Sequence, residues 1–172
     1  MRRPSSTLIW IGLGAVAVVG AFALARHNAT ERPEPLAVGS AAPHFTLRGT
    51  AGESVKFAPP VARPLVLAFV STGCAHCVRT APELVALARS GTTVLAIDAG
   101  AGSAGERTTF ARDELAGVVP FLADPGGGIS RRYRASATPT VYVLRPDGRV
   151  AAAWVGEVPP QRFEDALTAA RG

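Results

Sequence analysis

The stretch from Leu65 to Cys77 reads LVLAFVSTGCAHC. Leu65 to Val70 is apolar without interruption and rich in strand formers, the pattern of a strand covered on both faces of a sheet. Ser71-Thr72-Gly73 breaks the run. The apolar spacing of Val78, Leu84, Val85, Leu87 and Ala88 then predicts a helix over Ala75 to Ala88, stopped by Ser90-Gly91, with Pro82 expected to kink it. Two cysteines three apart therefore stand where a strand hands over to a helix, and in an alternating strand and helix pattern that placement reads as a redox pair. Backbone N–H groups and the positive end of the helix dipole face the first sulfur and favour its thiolate, which makes Cys74 the expected nucleophile. Cys77, one turn on, is placed to attack a mixed disulfide on Cys74 and release the substrate as a thiol. Gly73, Ala75 and His76 surround the sulfurs and are the expected tuning positions. A ring donor at His76 would stabilise the thiolate and make the pair more oxidising.

Other uses of two such cysteines are a permanent disulfide or half of a metal site. A zinc site wants four ligands, yet the chain has only two cysteines, and His27, His44 and His76 lack the expected ligand spacing. Covalent haem needs a His directly after the second cysteine, where Val78 stands. A non-enzymatic alternative stays open: a membrane-bound carrier holding Cu(I) through Cys74, Cys77 and a distant His, a match of soft ligands to a soft ion. No resident cofactor is expected beyond a redox-active disulfide between Cys74 and Cys77.

Outward from the motif, Phe45 to Leu47 and Ser54 to Phe57 predict a hairpin through Gly49 to Gly52. Downstream, Thr92 to Ile97 predicts a buried strand, Ser103 to Leu115 a polar helix, Val118 to Leu122 a strand and Ile129 to Tyr133 a short helix. This alternation predicts a largely parallel sheet. The chain then changes pattern: Thr140 to Leu144 and Arg149 to Val155 are joined by Arg145-Pro146-Asp147-Gly148, a turn signal for an antiparallel hairpin, and Gln161 to Ala170 predicts a closing helix.

The chain has 172 residues and a formal charge of +5, enough for one domain with a sizeable core. Leu8 to Leu24 is uncharged and apolar, preceded by Arg2 and Arg3, at the short edge of what spans a bilayer. It is longer than most signal-peptide cores, which favours an uncleaved anchor, although Ala23-Leu24-Ala25 supplies a cleavage site for the other reading. Either way the rest of the chain is expected outside the cytoplasm. Residues 1–25 are thus read as anchor or signal, and 26–38, with Pro33 and Pro35, as an extended linker. From residue 39 to 172, read as one domain, there are 14 basic and 11 acidic residues, a surplus of three. These are mostly isolated arginines without neighbouring aromatics, so no nucleic-acid partner is expected.

These motifs resemble the thioredoxin superfamily, specifically its membrane-anchored TlpA and ResA branch, with STGCAHC also similar to the MauD subgroup. The likeness runs from Gly39 to the C-terminus. Gly39 to Leu47 (GSAAPHFTL) is similar to the entry motif of extracytoplasmic redoxins, followed by the Cys-x-x-Cys helix with Pro82, then Thr138-Pro139-Thr140 and the hairpin ending at Gly156. The resemblance implies a thioredoxin fold with an N-terminal β-hairpin and a central TlpA-type insertion, preceded by a single transmembrane helix. It also implies a cis-proline at Pro139 beside the sulfurs and a substrate-contact role for Thr138. Three departures stand out: Ala68 replaces the buried carboxylate of ordinary thioredoxins, Thr80 stands where ResA-type proteins have a glutamate, and Gly73 replaces the usual aromatic before the first cysteine. A peroxidase is not expected, because Leu67 and Ser71 occupy the Pro and Thr places of the peroxiredoxin Pro-x-x-x-Thr-x-x-Cys pattern. What is implied is a thiol-disulfide oxidoreductase acting on protein thiols or disulfides, most simply as a reductase supplied by a membrane partner such as a thiol-disulfide transporter. The alternative is an oxidase or isomerase for folding proteins, which His76 favours.

Overall fold

The structure is a computed structural model and describes residues 34–100 and 102–172. The expected anchor over 1–25 and most of the linker lie outside these residues. Among the described residues no helix is long and apolar enough to cross a membrane.

Strands β1 (Phe45–Gly49), β2 (Ser54–Phe57), β3 (Leu65–Val70), β4 (Thr93–Asp98), β5 (Phe121–Ala123), β6 (Thr140–Leu144) and β7 (Val150–Val155) form one sheet in the order β2-β1-β5-β4-β3-β6-β7. Helices α1 (Ala75–Arg89), α2 (Ala104–Asp113), α3 (Gly128–Arg132) and α4 (Pro160–Arg171) complete the described residues. Strand β3 is buried along its whole length and lies between β4 and β6, as its unbroken apolar run predicts. Helix α1 keeps Pro82 inside its span and buries Cys77, Ala81, Leu84, Val85 and Leu87. Ser103 and Glu106 close a reciprocal capping box at the start of α2, satisfying two N–H groups that the first turn leaves without partners.

The expectation of a largely parallel sheet is corrected. Only β3–β4 and β4–β5 pair in parallel, while β1–β2, β1–β5, β3–β6 and β6–β7 are antiparallel. Between β5 and β6 the chain makes the short helix α3, and β6 then runs back along β3. Asp124 fixes that short helix by accepting the N–H groups of Ile129 (3.1 Å) and Ser130 (2.8 Å) and the Ser130 hydroxyl (2.7 Å).

Strand β5 also starts later than Val118, its expected beginning. The chain is still turning there: Val118 N–H bonds Leu115 O at 3.0 Å, and Pro120 has no N–H to give a ladder. The Arg145–Gly148 turn is formed, and Gly148 must be glycine. Its φ is +82°, and an added Cβ would lie 2.2 Å from Pro59 Cγ.

The core has two parts, one on each face of the sheet. Val66, Ala68, Val70, Ala96 and Val141 face α1, α2 and α4. Phe45, Phe57, Phe69, Tyr133 and Tyr142 gather on the other, where Tyr133 and Phe69 have ring centroids 5.1 Å apart. Leu36, placed in the linker by its sequence, packs against this second part, and its N–H bonds the Tyr142 hydroxyl at 3.1 Å.

Candidate active site

The break after β3 places Cys74 at the N-cap of α1. Its backbone is extended (φ −99°, ψ 110°), and its sulfur accepts the N–H of Cys77 at 3.2 Å, the bond a capping serine or aspartate makes elsewhere. Cys74 is half-buried, Cys77 is fully buried within the aliphatic core, and both are free thiols.

Across from them, the Thr138-Pro139 peptide bond is cis, and the Cys74 thiol donates to the Thr138 carbonyl at 3.4 Å. The sequence-predicted residues Cys74, Cys77, Thr138 and Pro139 are thus brought together from α1 and the β6 entry, 64 residues apart in the chain between Cys74 and Thr138.

Environment drives the two sulfurs apart. Burial would raise Cys74, but hydrogen bonds from the Cys77 and Thr138 side chains and the backbone N–H groups of Cys77 and His76 outweigh it, and its thiol is more acidic than usual. Cys77 is pushed up to about 12, chiefly by burial and then by its hydrogen bond to Cys74. Such a pair sets a more acidic, half-buried thiol beside a buried one that is held protonated.

Gly73 and Ala75 are exposed on either side of Cys74. A Cβ at Gly73 would meet nothing within 4 Å, so the place of the expected aromatic is open. It borders a groove of about 540 Å³ between the start of α1 and α2, with Val78 and Phe110 in its wall. His76 differs from expectation. Its backbone N–H supports the Cys74 sulfur, but the ring is engaged elsewhere: Nδ1 lies 2.7 Å from Glu157 Oε1. A carboxylate 81 residues further on captures the donor that the motif aims at the sulfur.

Sequence reading also missed Asp98. Ala68 and Thr80, the positions at which the resemblance leads one to expect acids, are buried, and the Thr80 hydroxyl bonds His76 O at 2.9 Å. A carboxylate is nonetheless present nearby: Asp98 ends β4 opposite Val70, is 2% exposed, accepts the Gly100 N–H at 3.0 Å and lies 3.5 Å from Arg107. Burial raises its pKa against the pull of Gly100 and Arg107. A Cβ at Gly100 would meet both Ser71 Oγ and Asp98 Oδ1, and one at Gly102 both Thr72 Oγ1 and Asp98 Oδ2, so Asp98 backs the turn leading into Cys74. The only sequence signal was an acid closing an otherwise apolar strand.

Among the described residues there is no group of three or more His, Cys, Asp or Glu arranged to hold a metal ion.

Comparison with known proteins agrees with this geometry. The thiol-disulfide oxidoreductase ResA of Bacillus thuringiensis subsp. konkukian is 24% identical over 140 residues, 79% of this chain and 80% of ResA. Among solved structures, a protein assigned as thiol:disulfide interchange protein DsbE from Chlorobium tepidum superposes with a TM-score of 0.64 at 27% identity, covering 80% of this chain and 99% of its own. A thio-disulfide isomerase from Thermus thermophilus, at 21% identity and a TM-score of 0.66, covers 78% of this chain and 97% of its own and shares the fold. The family model described as AhpC/TSA matches residues 38–153. More than half of the sequence is thereby accounted for: the chain belongs to the AhpC/TSA family, has the thioredoxin-like fold, and is a thiol-disulfide oxidoreductase.

Proposed function

We propose that this chain reduces disulfides in proteins outside the cytoplasm, with Cys74 as nucleophile and Cys77 as resolving thiol. The observation that carries the reading is the divergence of the two thiols, one half-exposed at a helix N-cap and acidified, the other buried and pushed up to about 12.

Exchange begins when the Cys74 thiolate attacks one sulfur of a substrate disulfide. The substrate's other sulfur leaves as a thiolate and takes up a proton, and Cys74 is now in a mixed disulfide. That step also changes Cys77. Besides burial, its hydrogen bond to Cys74 and the repulsion of the Cys74 charge hold it protonated; the repulsion is lost and the hydrogen bond weakens once Cys74 carries no charge, which lowers its pKa. Cys77 then attacks the Cys74 sulfur as it gives up its proton, which passes to the second substrate sulfur as that sulfur leaves as a thiol. In sum, the substrate disulfide gains two electrons and two protons, and Cys74–Cys77 becomes the disulfide. A membrane thiol-disulfide transporter is the class of donor that would reduce it again.

Thr138 is the substrate-contact residue in this reading, since its carbonyl lies against Cys74 beside cis Pro139. An extended substrate segment lying there brings its disulfide to the half-exposed sulfur. Location follows from the apolar run Leu8 to Leu24, which would hold the domain on the outer side of a membrane as a single-pass protein or, if cleaved, release it.

Measuring the reduction potential of the Cys74–Cys77 couple in glutathione buffers tests this. A reductase is expected near the thioredoxin value of about −270 mV, whereas a value near the DsbA figure of about −120 mV would make the protein a disulfide donor instead. Absence of a reversible disulfide would discard the redox assignment of these cysteines, and copper retained at one ion per chain after dialysis would replace it with the carrier reading.

A further inference from the structure

The first turn of α1 contains no acid and carries His76, with Arg79 three residues on and so on the same face. Helix N-termini favour the opposite sign. Here the acid comes from outside the helix, from Glu157 in the loop after β7. Its Oε1 lies 2.7 Å from His76 Nδ1 and accepts from Arg79 Nε at 2.8 Å, with Arg79 Nη2 also at 2.8 Å.

Arg79 Nη2 is 2.8 Å from that same Nδ1. The shared oxygen of Glu157 thus joins the ring and the guanidinium in one cluster. His76 and Arg79 in turn keep the Glu157 carboxyl below the usual range. The loop is anchored at the site as well: the N–H of Gly156 bonds the carbonyl of Pro139 at 2.7 Å.

We propose that Glu157 is a positioning residue for disulfide exchange: it ties the His76 ring and the Arg79 guanidinium to the loop after β7 and offsets the guanidinium charge, which holds the Cys74–Cys77 couple toward the reducing end. This rests on Cys74 being the exchanging thiol. The reduced couple carries a thiolate and the disulfide carries none, so each cation released near Cys74 stabilises the reduced form and makes the couple more oxidising. Other charged groups near this end of the sheet, the Asp98–Arg107 pair behind the Ser71-Thr72 turn and Glu106, Asp113 and Glu114 along the groove beside Gly73, are left in place by substitutions at residue 157.

The full-length chain in detergent is equilibrated with glutathione as wild type, Glu157→Gln, Glu157→Ala and Glu157→Asp, together with a triple variant that adds His76→Ala and Arg79→Ala to Glu157→Gln. The pH profile of Cys74 alkylation is followed in parallel. Glu157→Gln and Glu157→Ala are expected to shift the equilibrium about tenfold toward the reduced form, about 30 mV, and to move the alkylation midpoint about one pH unit lower. Glu157→Asp should recover most of the wild-type value, and the triple variant should abolish the shift. A change of less than threefold in both Gln and Ala variants overturns the proposal, as does a shift that persists undiminished in the triple variant, since a merely structural role would leave it so. The functional reading is judged separately on the wild type: an absolute potential at the oxidising end overturns the reductase assignment while the variant shifts still decide the role of Glu157. A wild type without a reversible disulfide overturns both.

Discussion

The two faces of the sheet are built from different side chains, and the division matches a division of labour. Under α1, α2 and α4 the central strands offer small aliphatic residues, Val66, Ala68, Val70, Ala96 and Val141. Small residues let α1 lie close, and Cys77 is pressed into the sheet with no exposure at all. Under α3 and the N-terminal segment the same strands turn out large residues, with Phe69 and Tyr142 meeting Phe45, Phe57 and Tyr133. Those phenols also carry polar links. Tyr133 donates to Pro43 O at 2.7 Å, Tyr142 donates to Tyr133 O, and Leu36 donates to Tyr142. One face sets the chemistry of the sulfurs, and the other fastens the N-terminal segment to the body.

If that division holds, chemistry and stability are separable by mutation. The largest effect should come from Cys74→Ser, which is expected to lower the rate of peptide-disulfide reduction by about a thousandfold or more while leaving the urea midpoint of the reduced protein near the wild-type value. Equal losses of activity and stability would mean that the aliphatic face is not devoted to the sulfurs. Tyr142→Ala should do the reverse. Removing a fully buried ring costs about 4 kcal/mol in urea unfolding, yet the reduction potential of the folded fraction should stay put; Tyr142→Phe, which loses only the hydroxyl, should cost about 1 kcal/mol.

The smallest effect concerns the polar group set into this arrangement. Burial raises the Asp98 pKa, so its contribution to stability is full below the ordinary aspartate range and declines as pH climbs through the raised value. Asp98→Asn keeps an acceptor for Gly100 N–H and removes the charge. It is expected to gain about 1 kcal/mol or less at pH 7, with no advantage at pH 3, as followed by urea unfolding at both values. A gain that grows toward low pH would contradict the sign.

Much of this was legible because it is local. An unbroken apolar run marks β3, turn residues mark the hairpin at Arg145–Gly148, and the two cysteines after a strand mark the N-cap of α1. The resemblance placed Pro139 beside them. What escaped reading depends on partners far along the chain. The reversal of β6 against β3 is a pairing that alternation alone does not reveal. Glu157 has no local mark, since its meaning comes from His76 and Arg79, 81 and 78 residues away. Asp98 was visible as an acid, but its surroundings, with Gly100 beside Ser71 and Gly102 beside Thr72, come from the fold. The aromatic ring cluster is likewise assembled from β1, β2, β3, β6 and the end of α3.

Using a cysteine as helix cap has a consequence of its own. A serine or aspartate keeps one chemical identity, whereas on the proposed mechanism the sulfur that receives the Cys77 N–H would pass between thiolate and disulfide in each turnover. The acceptor strength at the start of α1 therefore rises and falls with the electron load of the site. On that mechanism amide exchange at Cys77, whose N–H also bonds Cys74 O at 2.9 Å, is expected to be slower in the reduced domain than in the oxidised one.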